Sequence, residues 1–292
     1  MYFKRIVLTL LLMLGVTACA SSTTVGTATP SEPTLPPEPP TATPPPSAAF
    51  VNGEYITIEE FQAELARFNA AQSSLGKTVS EEDATRIVLE DLIALVLLSQ
   101  AARESNFNLT EADLQSRIEA LAAEIGGMGM LSEWKSAHGY NDASFRVALR
   151  RSIEAAWMRD KIIADVPAVM EQIHVRQILT YNETDARAAL DQLNSGADFD
   201  ALAARYDPVT RGELGWLPRG YLLDANADEA VFALQTGGLS GIVPTDAGFH
   251  IFKAVERGPH PLSPDALLTM QELALKKWLE NRRANSTITL AP

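Results

Sequence analysis

The sequence predicts an α+β protein: an all-helical body carrying a small antiparallel sheet domain, with its own helices, as an insert. Three observations predict it. Residues 50–165 repeat apolar side chains at helical spacing. At Val166-Pro167 the pattern turns to a mixture of strands and short helices that lasts to about residue 258. One more helix with an apolar stripe then follows, over about 265–283, and that stripe must be buried somewhere. Packing it back on the N-terminal helices makes the sheet domain an insert on a loop of the body.

Folded structure is expected from FVNGEYIT, where Asn52-Gly53 marks a turn between Phe50-Val51 and Tyr55-Ile56. Thr57 stands three residues before Glu60, a capping-box pattern that opens a helix. Phe61, Leu65 and Phe68 share one face of it. A second helix, Glu81 to about Glu104, is apolar on most faces. Glu90 and Asp91 interrupt it, and the apolar run beyond them is too short to span a bilayer, so it reads as a buried central helix. Thr110 caps a third helix, GGMGM at 126–130 breaks it, and a fourth begins near Asn141-Asp142 with Phe145, Leu149, Ile153 and Trp157.

In the sheet domain HVRQILTY (174–181) reads as a β-branched strand. Helices follow over 183–193 and from Asp198 to Tyr206, then a loop through GELGWLPRG. A helix over 227–234 and two short strands, 240–243 and 249–256 around a TDAG turn, complete it. In the closing helix Leu268, Leu275, Trp278 and Leu279 form the stripe.

The start of the chain is of another kind. Lys4-Arg5 precede an apolar run from Ile6 to Val16 and the small residues Thr17-Ala18, an export-signal pattern. Cys19, the only cysteine among 292 residues, ends VTAC, which resembles a bacterial lipobox and makes Cys19 the expected lipidated residue. The stretch from Ala20 to Ala49 is nearly all Ser, Thr, Ala and Pro, with nine prolines between Pro30 and Pro46. It has nothing to bury and favours extended conformations. The expected organisation is a signal peptide at 1–18, anchor cysteine and linker at 19–49, helical domain at 50–168, sheet domain at 169–258 and returning helix at 259–292. That places the protein on the extracytoplasmic side of a cell membrane, held by lipid. With one cysteine it must fold without internal disulfides.

A net charge of −13 argues against nucleic acid as partner, because a phosphate backbone asks for a basic footprint. The four histidines (His138, His174, His250 and His260) have no metal-ligand spacing, and no nucleophile elbow or phosphate loop is present. No metal or cofactor is expected. Taken alone, a histidine at the head of a strand, as His250 is, is more often a core or edge residue, Gly212, Gly215 and Gly220 serve turns, and Trp216 plugs core. Lys276-Lys277 and Arg282-Arg283 read as the solvated side of the last helix.

Five segments in order change that balance: VRQIL, GADFDALAARY, GELGWLPRG, EAVFALQTGGLSG and TDAGFHIFKAVE. Together, residues 174–258 resemble the parvulin-type peptidyl-prolyl isomerase domain. FVNGEYITIEEF and the helix with KKWLENRR resemble the helical chaperone portions of exported parvulins, whose last helix returns to the first. The resemblance implies a parvulin-like sheet and a site built on His250, the family's histidine of the last strand. Its usual histidine partner is replaced by Gln177. His174 lies three residues earlier, on the opposite side of a regular strand. Asp207 matches an acidic position after the second helix. Leu214, Trp216, Leu222, Asn226, Ala247 and Phe249 fall at substrate-binding positions, with Asn226 where an aromatic is expected and Ala247 where some members carry a hydroxyl.

The function so implied is peptidyl-prolyl isomerisation of unfolded, proline-containing polypeptides, weakened by the missing aromatic. A non-enzymatic holding chaperone that keeps the fold only as a peptide-binding module is the alternative. A lipoprotein docking one specific partner is a third class.

Overall fold

The computed structural model describes residues 45–291, which contain nine helices and seven strands. The export segment, Cys19 and the linker as far as residue 44 lie outside the described residues. Helix boundaries follow local chemistry. In α1 (Ile58–Ser74) the Thr57 hydroxyl accepts from Glu60 N at 3.1 Å. The reciprocal half of the box is absent, because the Glu60 carboxylate accepts from Arg151 Nη1 at 2.7 Å instead. Ser80 caps α2 (Glu81–Glu104), whose first turn is acidic, Thr110 caps α3 (Glu111–Glu124), and Asn141 caps α5 (Asp142–Ala164).

GGMGM breaks the third helix and also starts another. Gly126 and Gly127 take φ of +104° and +114°, and α4 (Met128–Ala137) begins directly after them. The region is not all-helical either. FVNGEYIT forms a hairpin of β1 (Ser47–Val51) and β2 (Glu54–Thr57), and the C-terminal β7 (Ile288–Leu290) adds to β1 with Val51 opposite Ile288. The α2 helix lies beneath this sheet as the central element, with Val88, Leu92, Ile93, Val96 and Leu97 buried against Val51 and Ile56. No helix among the described residues is long and apolar enough to cross a membrane.

The returning helix α9 (Pro264–Ala284) packs Ala274, Leu275, Trp278 and Leu279 onto α2 and α5, as its stripe requires. Leu268, two turns before Leu275, points away and is exposed. Between α5 and α9 runs a four-stranded antiparallel sheet in the order β4-β3-β6-β5, covered by α6 (Glu183–Asn194), α7 (Phe199–Tyr206) and α8 (Ala225–Ala233). Its two central strands are longer than the sequence pattern indicates: β3 is Val169–Thr180 and β6 is Gly248–Pro261. The extra residues pair Val169 with Pro261 and Glu171 with Pro259, a ribbon joining the sheet to the body. The prolines stand two apart, so both can occupy ladder positions that ask for no N–H donor. The GELGWLPRG segment is also a strand for most of its length, β4 (Glu213–Pro218), despite its glycines. The last strand of the sheet is β5 (Val243–Thr245), three residues beyond the expected start, and it turns through Asp246-Ala247 into β6.

Candidate functional site

Strand register assembles the site around His250. On β3, Leu179 stands opposite His250; on β5, Val243 does. The residues two steps further on each strand, Gln177 and Thr245, therefore lie diagonally beside His250 on the same face. Both reach it. The Nδ1 of His250 is 2.8 Å from Gln177 Oε1 and its Nε2 is 2.9 Å from Thr245 Oγ1. An amide oxygen only accepts, so Nδ1 carries the proton and Nε2 accepts from the threonine hydroxyl. That hydroxyl in turn accepts from Ala247 N at 3.1 Å, which ties the β5–β6 turn to the ring.

The imidazole is buried and stacks on Phe252, 5.3 Å between centroids and 12° between planes. Burial pushes its pKa below the ordinary 6.5; the charge of Asp224 opposes this more weakly. The ring is thus neutral at pH 7, as its two hydrogen bonds require. Above about pH 6.5 neither the folded nor the unfolded chain protonates His250, and its contribution to stability is complete. As pH falls below that value the unfolded chain takes up a proton that the folded site refuses, and stability is lost. Urea unfolding midpoints from pH 8 to pH 5 should therefore decline more steeply for the native chain than for His250→Gln; parallel curves would contradict the assignment.

Beneath the ring lies an apolar layer of Ile173, Val175, Leu217, Val231, Val243 and Phe252, with Leu214, Tyr221 and Leu222 half-buried against it. Leu214 and Leu222 are where the sequence places pocket walls. Asn226 is not: it is exposed on the first turn of α8, and the half-buried aromatic packed against this layer is Tyr221, five residues earlier. Ala247 is exposed in the turn and acts through its N–H. Phe249 alternates with His250 and faces the other side of the sheet, opposite Thr180. Trp216 stands apart from the His250 group. Its indole is sandwiched between His174 (5.4 Å) and His260 (4.5 Å), and His174 Nε2 contacts Glu213 Oε1 at 2.5 Å.

Asp207 also has a different place. It follows α7, and its carboxylate binds Val209 N, Thr210 N, the Thr210 hydroxyl and, at 3.4 Å, Gly212 N. These bonds hold its pKa below the ordinary carboxylate value, the Thr210 hydroxyl contributing most. The tied loop then presents Gly212 O to Gln177 N at 2.7 Å. Asp207 reaches the site through the backbone, as a positioning residue. Sequence reasoning missed Thr245 and Tyr221; the signal for the first was a hydroxyl two residues before the hairpin's second turn residue, on the strand that turns into the histidine's own.

Two parts of the chain match known families. Residues 179–256 match the rotamase family of PPIC-type PPIase domains. The sheet domain is a parvulin-type peptidyl-prolyl isomerase domain. Residues 41–132, which include the first helices of the body, match the SurA-like N-terminal domain. A foldase protein PrsA of Clostridium kluyveri is 22% identical, with 83% of this chain and 84% of the relative covered. A chaperone SurA of Methylobacillus flagellatus is 26% identical over 74% of this chain and 58% of its own. Among solved structures, PrsA of Bacillus cereus is similar at a TM-score of 0.43 and 22% identity, covering 78% of this chain and 81% of that one.

Proposed function

We propose that this protein is a lipid-anchored peptidyl-prolyl isomerase and folding factor that acts on exported, unfolded polypeptides outside the cytoplasmic membrane. The observation that carries the isomerase reading is the neutral, buried His250 held between Gln177 and Thr245 over an apolar layer, inside the isomerase domain.

Rotation about an X-Pro bond faces a barrier of roughly 20 kcal/mol because amide resonance must be lost. No bond to carbon is broken, so neither nucleophile nor cofactor enters. The site must hold the ring in an apolar slot and favour the twisted amide over both planar forms. Leu214, Leu222 and Tyr221 supply apolar surface. The Gln177–His250–Thr245 chain fixes the floor and keeps a bulky charge out of it. On this reading Gln177 serves in place of the usual histidine partner, its amide oxygen accepting from His250 Nδ1.

The anchor reading rests on Cys19 after its apolar export segment and on the proline-rich stretch that follows. The full chain should accelerate cis-to-trans interconversion of short X-Pro peptides. It should fractionate with membranes, and Cys19→Ser should release it to the soluble fraction. A folded chain that accelerates no peptide leaves the holding-chaperone reading; a Cys19→Ser chain that stays on membranes removes the anchor.

A further inference from the structure

One feature of α2 is unused by the isomerase site. Glu90 and Asp91 interrupt the apolar centre of this helix, and Asp91 lines a groove of about 640 Å³ between α1, α2 and α5. The groove is floored by Phe68, Val88, Leu92 and Leu95, with Tyr140 and Val147 on one wall. Four carboxylates, Glu59, Glu60, Glu64 and Asp91, line it against two guanidinium groups, and both guanidiniums are already committed. Arg151 pairs with Glu60 at 2.7 Å; Arg67 pairs with Glu64 at 2.5 Å, binds His138 O at 2.7 Å and lies 4.2 Å over the Tyr140 ring. Among the described residues, Glu59 and Asp91 make no ion pair or side-chain hydrogen bond.

We infer that this groove is a client subsite that takes an arginine or lysine flanked by apolar side chains of an extended, unfolded polypeptide. The inference rests on the reading of the protein as a folding factor. Charge complementarity selects the occupant: the floor takes apolar side chains, and the unmatched carboxylates at the rim take a cation. The protein's own linker is a poor match, since residues 20–44 carry Glu32 and Glu38 and no lysine or arginine. Asp91 is poised to gain from such a partner. Its pKa is raised, first by partial burial and then by the neighbouring charges of Glu90 and Glu64, a repulsion that an incoming cation relieves. The groove lies in the helical body, away from His250, so an extended client has a second place to be held while its prolines isomerise.

The test uses the full chain and three labelled nonapeptides, alike in their alternating leucine and phenylalanine residues but with arginine, glutamine or glutamate at the centre. Fluorescence anisotropy should show the arginine peptide binding about two- to fivefold tighter than the glutamine peptide, as expected for partly exposed ion pairs, and the glutamate peptide weakest. The preference should shrink with salt and vanish in Asp91→Asn/Glu59→Gln. Equal affinities, no binding of any peptide, or a preference that survives the double substitution would overturn the inference. So would a concentration-dependent dimer that the double substitution dissociates, which would assign the groove to a second copy of the chain. Isomerisation by the unaltered chain is measured in parallel. Activity without the arginine preference removes the groove proposal alone; preference without activity removes the isomerase reading and leaves the groove.

Discussion

Gly212→Ala is expected to unfold the isomerase domain or leave it barely stable, the largest effect of any single small substitution near the site. Gly212 has φ of +74°, and a Cβ built on it would sit 1.9 Å from Gln177 O and 3.0 Å from Gln177 C. A Cβ also meets Ala203 Cβ at 3.3 Å. Left-handed backbone alone costs about 1–3 kcal/mol for a residue other than glycine. The contact with Gln177 is with backbone, which has no rotamer to yield, so the strand or the loop must move. Either movement breaks the 2.7 Å bond from Gln177 N to Gly212 O and shifts the residue that holds His250. Gly196 is the control, because it has φ of +93° with nothing within 4 Å of its added Cβ. Gly196→Ala therefore reports strain without collision. Urea denaturation followed by far-UV dichroism should show a clearly larger loss for Gly212→Ala, accompanied by loss of isomerisation; equal losses would mean that the loop adapts and the close approach is incidental.

That close approach also shows what could be read from the sequence and what could not. Helix ends were legible because capping is a matter of four residues: Thr57, Thr110 and Asn141 announce themselves beside the residues whose N–H groups they accept. Strands that depend on a distant partner were not. The β4 strand contains Gly215, and β7 is only Ile288–Leu290; each is a strand because β3 or β1 supplies its ladder. The prolines at 259 and 261 hid the end of β6 for the same reason. In the site, His250 and Gln177 were legible through the family resemblance, and their bond was the open question. Thr245 was not, since its place beside His250 arises from strand register, and neither was Tyr221, which packs against the apolar layer from the segment after β4. The local partners of Asp207 were not legible either: four donors within five residues claim its carboxylate, a turn-capping task set by local spacing.

The Gln177–His250–Thr245 chain yields the second large effect. Gln177→Leu removes the acceptor for the buried Nδ1–H of His250, and Thr245→Val removes the donor to Nε2. Leaving a buried polar group without its partner costs about 1–3 kcal/mol. If that cost falls on the geometry needed for the twisted amide, kcat drops roughly ten- to a hundredfold while KM changes little. His250→Ala should lose at least as much, because it also opens a cavity beside Phe252. Thr245→Ser keeps the hydroxyl and should recover most of the rate, which a mere packing role for Thr245 would not allow. Gln177→Glu tests the charge state: a carboxylate at the same distance favours the imidazolium, so the His250 pKa rises and the limb that its protonation puts on the kcat profile moves to higher pH than in the native chain. The two hydrogen bonds share one ring, so the effects of Gln177→Leu and Thr245→Val should be less than additive in the double variant. Full additivity would mean that the two side chains act independently on the client and that His250 is a core histidine between them. Sub-additivity would make the ring the element through which both strands shape the proline slot, and would explain how a glutamine serves where a second histidine is usual.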